Sequence, residues 1–163
     1  MSTCSQKVRL VLAEKKLEFE SVILDLQSGA QFESGYLKLN PQAVVPTLVH
    51  HDQAITESTL INEYLEDCYP KPSLLPKTAV ERYQLRAFCK QLDDRLHPAC
   101  GVITYAIGAR PGLLTKPKAE LAALIAQIPD EARRRHRAMV IQDGVHAPIF
   151  ATALAQSLQV LNF

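Results

Sequence analysis

Residues 40–49 read NPQAVVPTLV, a largely aliphatic and β-branched run in which Pro46 opens the final segment. Such a run predicts a strand. Because only X–Pro bonds adopt the cis form at low cost, the Val45–Pro46 bond is compatible with a cis peptide. A cis bond there would turn the N–H and C=O of Val45 outward, where an extended peptide ligand pairs with them. An ordinary proline at a sheet edge is the simpler explanation of the spacing alone.

Around this run the first half of the chain alternates between helical and extended patterns. Val8, Val11 and Leu12 recur at helical spacing and predict a core stripe that Lys15 continues. Ser58 is a good N-cap candidate for a later helix. The predicted order is α-β-(α)-β-β-α, with helices at 3–16, 32–37 and from Ser58, and strands at 19–26, 44–49 and 54–56.

The second half is predicted to be helical after a proline-rich linker. We therefore predict an α/β domain at 1–70, a linker at 71–77 and an all-α domain at 78–163. Glycines and a proline at 108–112 predict a loop, with helices before it and at 116–127 and 130–141. The last helix carries one apolar stripe: Phe150, Leu154, Leu158 and Leu161.

Charge and composition exclude several classes of function. The net charge is +1, from 18 basic and 17 acidic side chains, so we expect no nucleic-acid partner. The basic run at 133–137 favours a solvated helix face over a binding patch. Four cysteines without zinc spacing predict no metal site and a reducing cytoplasm. No apolar run approaches the ~20 residues that span a bilayer, so we expect no membrane association.

Hydroxyl, thiol and carboxyl groups stand at two predicted helix starts. Ser2, Cys4 and Ser5 begin the first helix, where free N–H groups and the positive dipole end favour an anion, including a thiolate. Glu57 and Ser58 begin the third helix, where N–H groups hold a carboxylate and Glu57 meets an ammonium group. Simple helix capping explains either motif on its own. Together with residues 40–49, they predict a site for a small zwitterionic peptide bearing a thiol.

In this order, STCSQKVRLVLAEK, NPQAVVPTLV and ITESTLINEYLED resemble the glutathione transferase superfamily across residues 2–75. The first stretch is similar to the zeta-type motif, and the helical half resembles bacterial β-etherase-type transferases. The resemblance implies a thioredoxin-like domain followed by a transferase-type helical domain. It also implies that the strand preceding the first helix is missing and that the helical domain is incomplete.

The resemblance implies a role for each motif. Ser2, with Cys4 and Ser5 as alternatives, would contact the glutathione sulfur. Glutathione would be the cosubstrate, with its cysteinyl backbone on Val45 before Pro46, its γ-glutamyl end on Glu57 and Ser58, and its glycyl end near Gln42. A small electrophile would bind between the two halves, with Ile103, Tyr105 and residues 96–100 as candidate lining. The resemblance to the family also implies a homodimer.

Three functions follow from these residues. The first is an enzyme, a glutathione S-transferase that activates the thiol for attack on a small electrophile. The second is a non-catalytic binding or interaction module, or a shortened remnant, of the same fold. The third is a glutathione-dependent thiol–disulfide oxidoreductase that uses Cys4 and predicts a mixed disulfide with glutathione.

Overall fold

The computed structural model describes residues 2–162 and divides the chain into two compact units. The first unit contains the chain up to Leu24 together with Val44–Gln91. The second contains Asp25–Ala43 together with the chain from Leu92 onward. These units follow spatial contact rather than sequence order, so the domain boundaries at 70 and 78 stay a prediction.

Within residues 2–162, the first unit contains helices and one small β-hairpin, whereas the regular elements of the second unit are all helical. Those of the first unit are α1 (Thr3–Glu14), β1 (Leu48–His50), β2 (Gln53–Ile55), α3 (Ser58–Cys68) and α4 (Ala79–Gln91). Those of the second are α2 (Ser34–Leu39), α5 (His97–Thr104), α6 (Arg110–Leu113), α7 (Lys118–Ala126), α8 (Glu131–Asp143) and α9 (Pro148–Leu161). Short 3₁₀ turns precede α2 and α9, and π-helical turns flank α5.

The core of the first unit lies between α1 and α3. Val8 and Leu12 of α1 pack against Ile61 and Leu65 of α3, and each of the four side chains is at most 5% exposed. This confirms the stripe predicted for the first helix. Burying a side chain of this size contributes about 1.5–3 kcal/mol relative to leaving it in water, so the four account for much of the attraction between the two helices.

Lys15 continues the buried stripe of α1 and is itself 4% exposed. A buried ammonium group is costly without a partner, and Glu66 of α3 supplies one at 2.5 Å. The ammonium also donates to the carbonyl oxygens of Tyr69, at 2.7 Å, and Pro72, at 3.0 Å. The pair therefore ties the proline-rich segment to both helices.

Glu66 accepts further hydrogen bonds from the segment that follows α3. The Ser73 hydroxyl donates to it at 2.7 Å, and the Leu74 N–H donates at 3.1 and 3.2 Å. Burial by itself raises the pKa of this carboxyl, but the hydrogen bonds from Lys15, Ser73 and Leu74 outweigh it and lower the pKa to about 2. The folded state therefore holds Glu66 as a carboxylate.

The hairpin packs its first strand against α3 and the segment after it. His50 of β1 is within hydrogen-bond distance of two tyrosine hydroxyls, with Nδ1 2.8 Å from Tyr64 and Nε2 3.0 Å from Tyr69. Leu48 and Ile55 pair across the hairpin and also contact the α1–α3 core. The predicted hairpin is confirmed, although β1 begins two residues after Pro46 rather than at Val44.

The strand predicted at 19–26 is wrong, because this segment is irregular. A strand is stable only when a neighbour accepts and donates its backbone hydrogen bonds, and among residues 2–162 only β1 and β2 pair. Val22 and Ile23 are 78% and 87% exposed. Arg9 of α1 instead holds the segment, with its guanidinium 5.6 Å from the Phe19 ring centroid and donating to the Ser21 hydroxyl at 3.0 Å.

Two predictions for the second half are corrected by its packing. The loop predicted at 108–112 is helical, because Gly108 lies in a π-helical turn and Pro111 sits in the first turn of α6, where its missing N–H costs little. In the stripe predicted on the last helix, Phe150 packs against the core, but Leu154, Leu158 and Leu161 are 44%, 51% and 68% exposed. The buried face of α9 is a neighbouring one: Ala153, Ser157 and Val160.

Among the described residues, no single helix combines the length and apolarity that crossing a membrane requires. One bent pair meets both criteria when taken together. It consists of Glu131–His146 and Pro148–Leu161, which meet at 84°.

We predict that Glu66→Gln lowers the free energy of unfolding at neutral pH by about 3 kcal/mol. Because the folded pKa of Glu66 is about 2 against an ordinary 4.5, its contribution is complete above pH ~5 and is lost as pH falls towards 2. Urea titrations from pH 7 to pH 3 measure both effects. The variant should show a shallower loss of stability on acidification than the parent chain.

Glu63→Gln is the matched control, because Glu63 pairs with Arg86 at 3.0 Å on the surface of the same helix. Exposed pairs contribute about 0–1 kcal/mol, so this variant should unfold almost like the parent. Equal losses in the two variants would contradict a special role for the buried pair.

Candidate functional site

Helices α1 and α3 of the first unit begin at the same end of that unit. Lys7 of α1 donates to the Thr59 hydroxyl of α3 at 2.6 Å, and Lys15 contacts Glu66 about two turns further along both helices. Because the paired positions rise together, α1 and α3 run parallel. Their free N–H groups and positive dipole ends therefore lie at one end.

The hairpin brings residues 45–46 to that end as well. Its strands are antiparallel, with Leu48 opposite Ile55, so the residues before β1 lie beside those that follow β2. Val45–Pro46 is a cis peptide bond, as the sequence allowed. The start of α3 directly follows β2, so residues 45–46 and the first residues of α3 meet at the open end of the hairpin.

Ser2 is the N-cap of α1, and its hydroxyl oxygen accepts the N–H of Ser5 at 3.3 Å. Cys4 and Ser5 follow in the first helical turn, and all three side chains are half-buried. The hydroxyl proton of Ser2 is not used in this bond, because the oxygen acts as the acceptor. Ser2 therefore combines helix capping with a donor at the positive end of the helix.

The prediction that Ser58 is the N-cap of α3 is wrong. Glu57 occupies the N-cap position, with a φ of 66° and no side-chain cap hydrogen bond, and Ser58 is the first helical residue. A positive φ is uncommon outside glycine and marks local backbone strain. Ser58 is 7% exposed. Because Glu57 and Ser58 are adjacent, a carboxyl group and a buried hydroxyl group both lie at the start of α3.

Gln42 belongs to the second unit, unlike the other residues predicted to contact glutathione. Asn40, which is 1% exposed, accepts the N–H of Gln42 on its side-chain oxygen at 3.1 Å. The carbonyl oxygen of Gln42 accepts from the Arg133 guanidinium at 2.6 Å. The Arg133 side chain of α8 thus holds the backbone of the turn that carries Gln42, and the predicted role of Gln42 at the glycyl end stays a prediction.

Sequence reasoning missed two contributors to this arrangement. Lys7 and Thr59 join the starts of α1 and α3, and no local pattern signals a contact 52 residues apart. The stripe position of Lys15 was a usable signal, because a lysine on a buried face requires a carboxylate nearby.

Within residues 2–162, no group of three or more His, Cys, Asp and Glu side chains is placed to hold a metal ion.

Comparison with known sequences matches residues 1–68, which contain α1, α2, the hairpin and α3, to a described domain family. Residues 1–68 match the glutathione S-transferase N-terminal domain. A probable maleylacetoacetate isomerase from Vibrio cholerae is 34% identical over 99 residues, which are 60% of this chain and 46% of that protein. Glutathione S-transferase Z1 from Arabidopsis thaliana is 42% identical over 81 residues, which are 50% of this chain and 37% of that protein. The chain thus matches less than half the length of these two relatives.

Among solved structures, the β-etherase LigF from Sphingobium sp. strain SYK-6 superposes with a TM-score of 0.88 at 27% identity. The superposition covers 99% of this chain and 68% of that one. It confirms the predicted fold class, a thioredoxin-like half with a small sheet followed by a helical half. The predicted likeness of the helical half to β-etherase-type proteins is confirmed as well.

Proposed function

Because the chain belongs to the glutathione S-transferase superfamily, we propose that its first unit binds glutathione and activates the thiol for attack on a small electrophile. The observation that carries this proposal is the convergence of three segments at one end of the first unit. The starts of α1 and α3 and the cis-proline turn meet there. The chain would then be an enzyme, a transferase with glutathione as its cosubstrate.

The start of α1 supplies what a thiolate requires. A free thiol has a pKa of about 8.5, and lowering it by ~2 units takes roughly 2.7 kcal/mol of preferential stabilisation of the anion. The positive end of a helix and one charge-assisted hydrogen bond together supply energy of that order. The hydroxyl proton of Ser2, left over when its oxygen accepts from Ser5, is the donor we assign to the sulfur. Cys4 and Ser5 are the alternatives.

The cis-proline turn and the start of α3 would hold the peptide itself. Val45 precedes the cis-proline and would pair through its backbone with the cysteinyl residue of glutathione. At the γ-glutamyl end, the free N–H groups and the Ser58 hydroxyl suit a carboxylate. The carboxyl group of Glu57 suits the ammonium group. These partners are complementary in charge at both groups of the zwitterion.

We predict micromolar-to-millimolar binding of glutathione to this chain by isothermal calorimetry. Ser58→Ala should weaken the binding by about tenfold, which is a loss of about 1.4 kcal/mol. Ser2→Ala should leave most of the binding and abolish the rise in thiolate absorbance when glutathione binds at pH 7, because the variant removes the donor to the sulfur. The ultraviolet absorbance of the thiolate measures that second effect.

Ser28→Ala is the matched control, since Ser28 is exposed and its hydroxyl donates to the Asp25 carbonyl oxygen in the second unit. It should bind glutathione like the parent. A folded chain that shows no binding would overturn the transferase proposal and favour a binding module without glutathione. Loss of the thiolate signal in Cys4→Ser alone would transfer the role to Cys4, as the oxidoreductase alternative requires.

We also propose a homodimer in a reducing cytoplasm. Val80 and Tyr83 of α4 are 67% and 71% exposed, and burying such apolar surface favours association. The four cysteines of the described residues form no disulfide with one another, which suits a reducing compartment. Sedimentation equilibrium should give twice the chain mass of 18.1 kDa, and Tyr83→Glu should shift the species to the monomer. A monomer at every concentration would contradict the dimer.

A further inference from the structure

The contact between Lys7 and Thr59 lies at the end of the first unit where α1 and α3 begin. The Lys7 ammonium donates to the Thr59 hydroxyl oxygen at 2.6 Å, and both residues are half-buried. Thr59 is the second residue of α3, so it belongs to the turn that carries the free N–H groups of that helix. Ser58 is more deeply buried, at 7% exposure. Thr59 is therefore the more accessible of the two hydroxyl-bearing residues.

Lys7 determines which role the Thr59 oxygen has. An ammonium group has donors only, so the oxygen accepts in this pair and the hydroxyl proton is left for another acceptor. Among residues 2–162, no protein group accepts that proton. A hydroxyl that accepts from a cation is also a stronger donor, because linked hydrogen bonds polarise one another. The pair thus leaves one polarised donor in the first turn of α3.

The place of Lys7 is electrostatically unfavourable in the protein alone. Cations are stabilised at the C-terminal end of a helix, yet this ammonium contacts the first turn of α3. Within the described chain, the first turns of α1 and α3 contain no acidic side chain. Glu57 precedes α3 and is exposed, and the proposed function assigns it to the ammonium group of the ligand. An anion bound at this end would offset the positive charge of Lys7.

We propose that Thr59 is a further carboxylate-binding residue of the first unit and that Lys7 is its positioning residue. The Thr59 hydroxyl donates its proton to the α-carboxylate of the γ-glutamyl group, while Lys7 holds the oxygen and supplies positive charge. The inference rests on the proposed function and deepens it, because it makes that carboxylate a condition of tight binding. It concerns the first unit alone.

The probes are glutathione and γ-aminobutyryl-cysteinylglycine, which lacks the α-carboxylate and keeps the amino group, the thiol and the glycyl end. Each is titrated by calorimetry into the full chain, which should bind glutathione at least about tenfold more tightly than the analogue. Thr59→Val should weaken glutathione binding about tenfold and change binding of the analogue by less than about twofold. Thr59→Ser keeps the hydroxyl and should bind glutathione within about twofold of the parent.

Lys7→Met should show the same selective loss, because it leaves the Thr59 hydroxyl without its fixed donor. The double variant with Thr59→Val should bind glutathione no more than about twofold more weakly than the weaker single variant, since both changes remove one linked interaction. Lys16→Met is the matched control. It removes the same charge at an exposed position beyond the other end of α1, and should change either affinity by less than about twofold.

Urea unfolding shows which variants are folded, and Thr59→Ala replaces the valine variant if that one is not. A parent chain that binds no glutathione would overturn the proposed function and this inference with it. A parent that binds glutathione, with a Thr59→Val variant that binds it equally well, would overturn this inference alone. So would an equal loss of both ligands in that variant, because the pair would then only tie α1 to α3.

Discussion

The buried ion pair between Lys15 and Glu66 is the constraint on which the first unit depends. A lysine on the apolar face of α1 can be buried only if a carboxylate meets it, and Glu66 does so from α3. Hydrogen bonds from Ser73 and Leu74 then bring the chain after α3 back onto the same carboxylate. One charged pair thus fixes the axial register of α1 against α3 and the path of the linker that follows α3.

The register fixed by that pair has a functional consequence. With Lys15 beside Glu66 and Lys7 beside Thr59, α1 and α3 run parallel and present their free N–H groups at one end. The antiparallel hairpin returns the cis-proline turn to the start of α3. A peptide with separated charges and a thiol would find anion-binding N–H groups, a carboxyl group and an extended backbone in one place. Packing in the core would then be linked to the proposed recognition at this end.

Features that depend on neighbours in sequence could be predicted, whereas features that depend on distant partners could not. The stripe of α1 and the hairpin follow from local spacing, whereas local spacing only allowed the cis bond at Pro46. The strand expected at 19–26 required a pairing partner that none of residues 2–162 supplies. The stripe predicted on α9 has the helical period, but most of it lies beside the face that is buried. The period of an apolar pattern does not say which face a neighbouring element covers.

The candidate site shows the same division. Its residue types and their order predicted the resemblance to the family, and the structure brings the two helix starts together as that order implies. The position of Glu57 as the N-cap of α3 depends on a backbone φ of 66°, which no residue type indicates.

The most direct test of the central claim is a titration with glutathione followed by amide chemical shifts. If the starts of α1 and α3 and the cis-proline turn form one site, the N–H signals of Ser5, Val45 and Ser58 should move together with one dissociation constant. The signals of α9 should stay in place. Shifts confined to the second unit, or different dissociation constants for the three amides, would contradict the account.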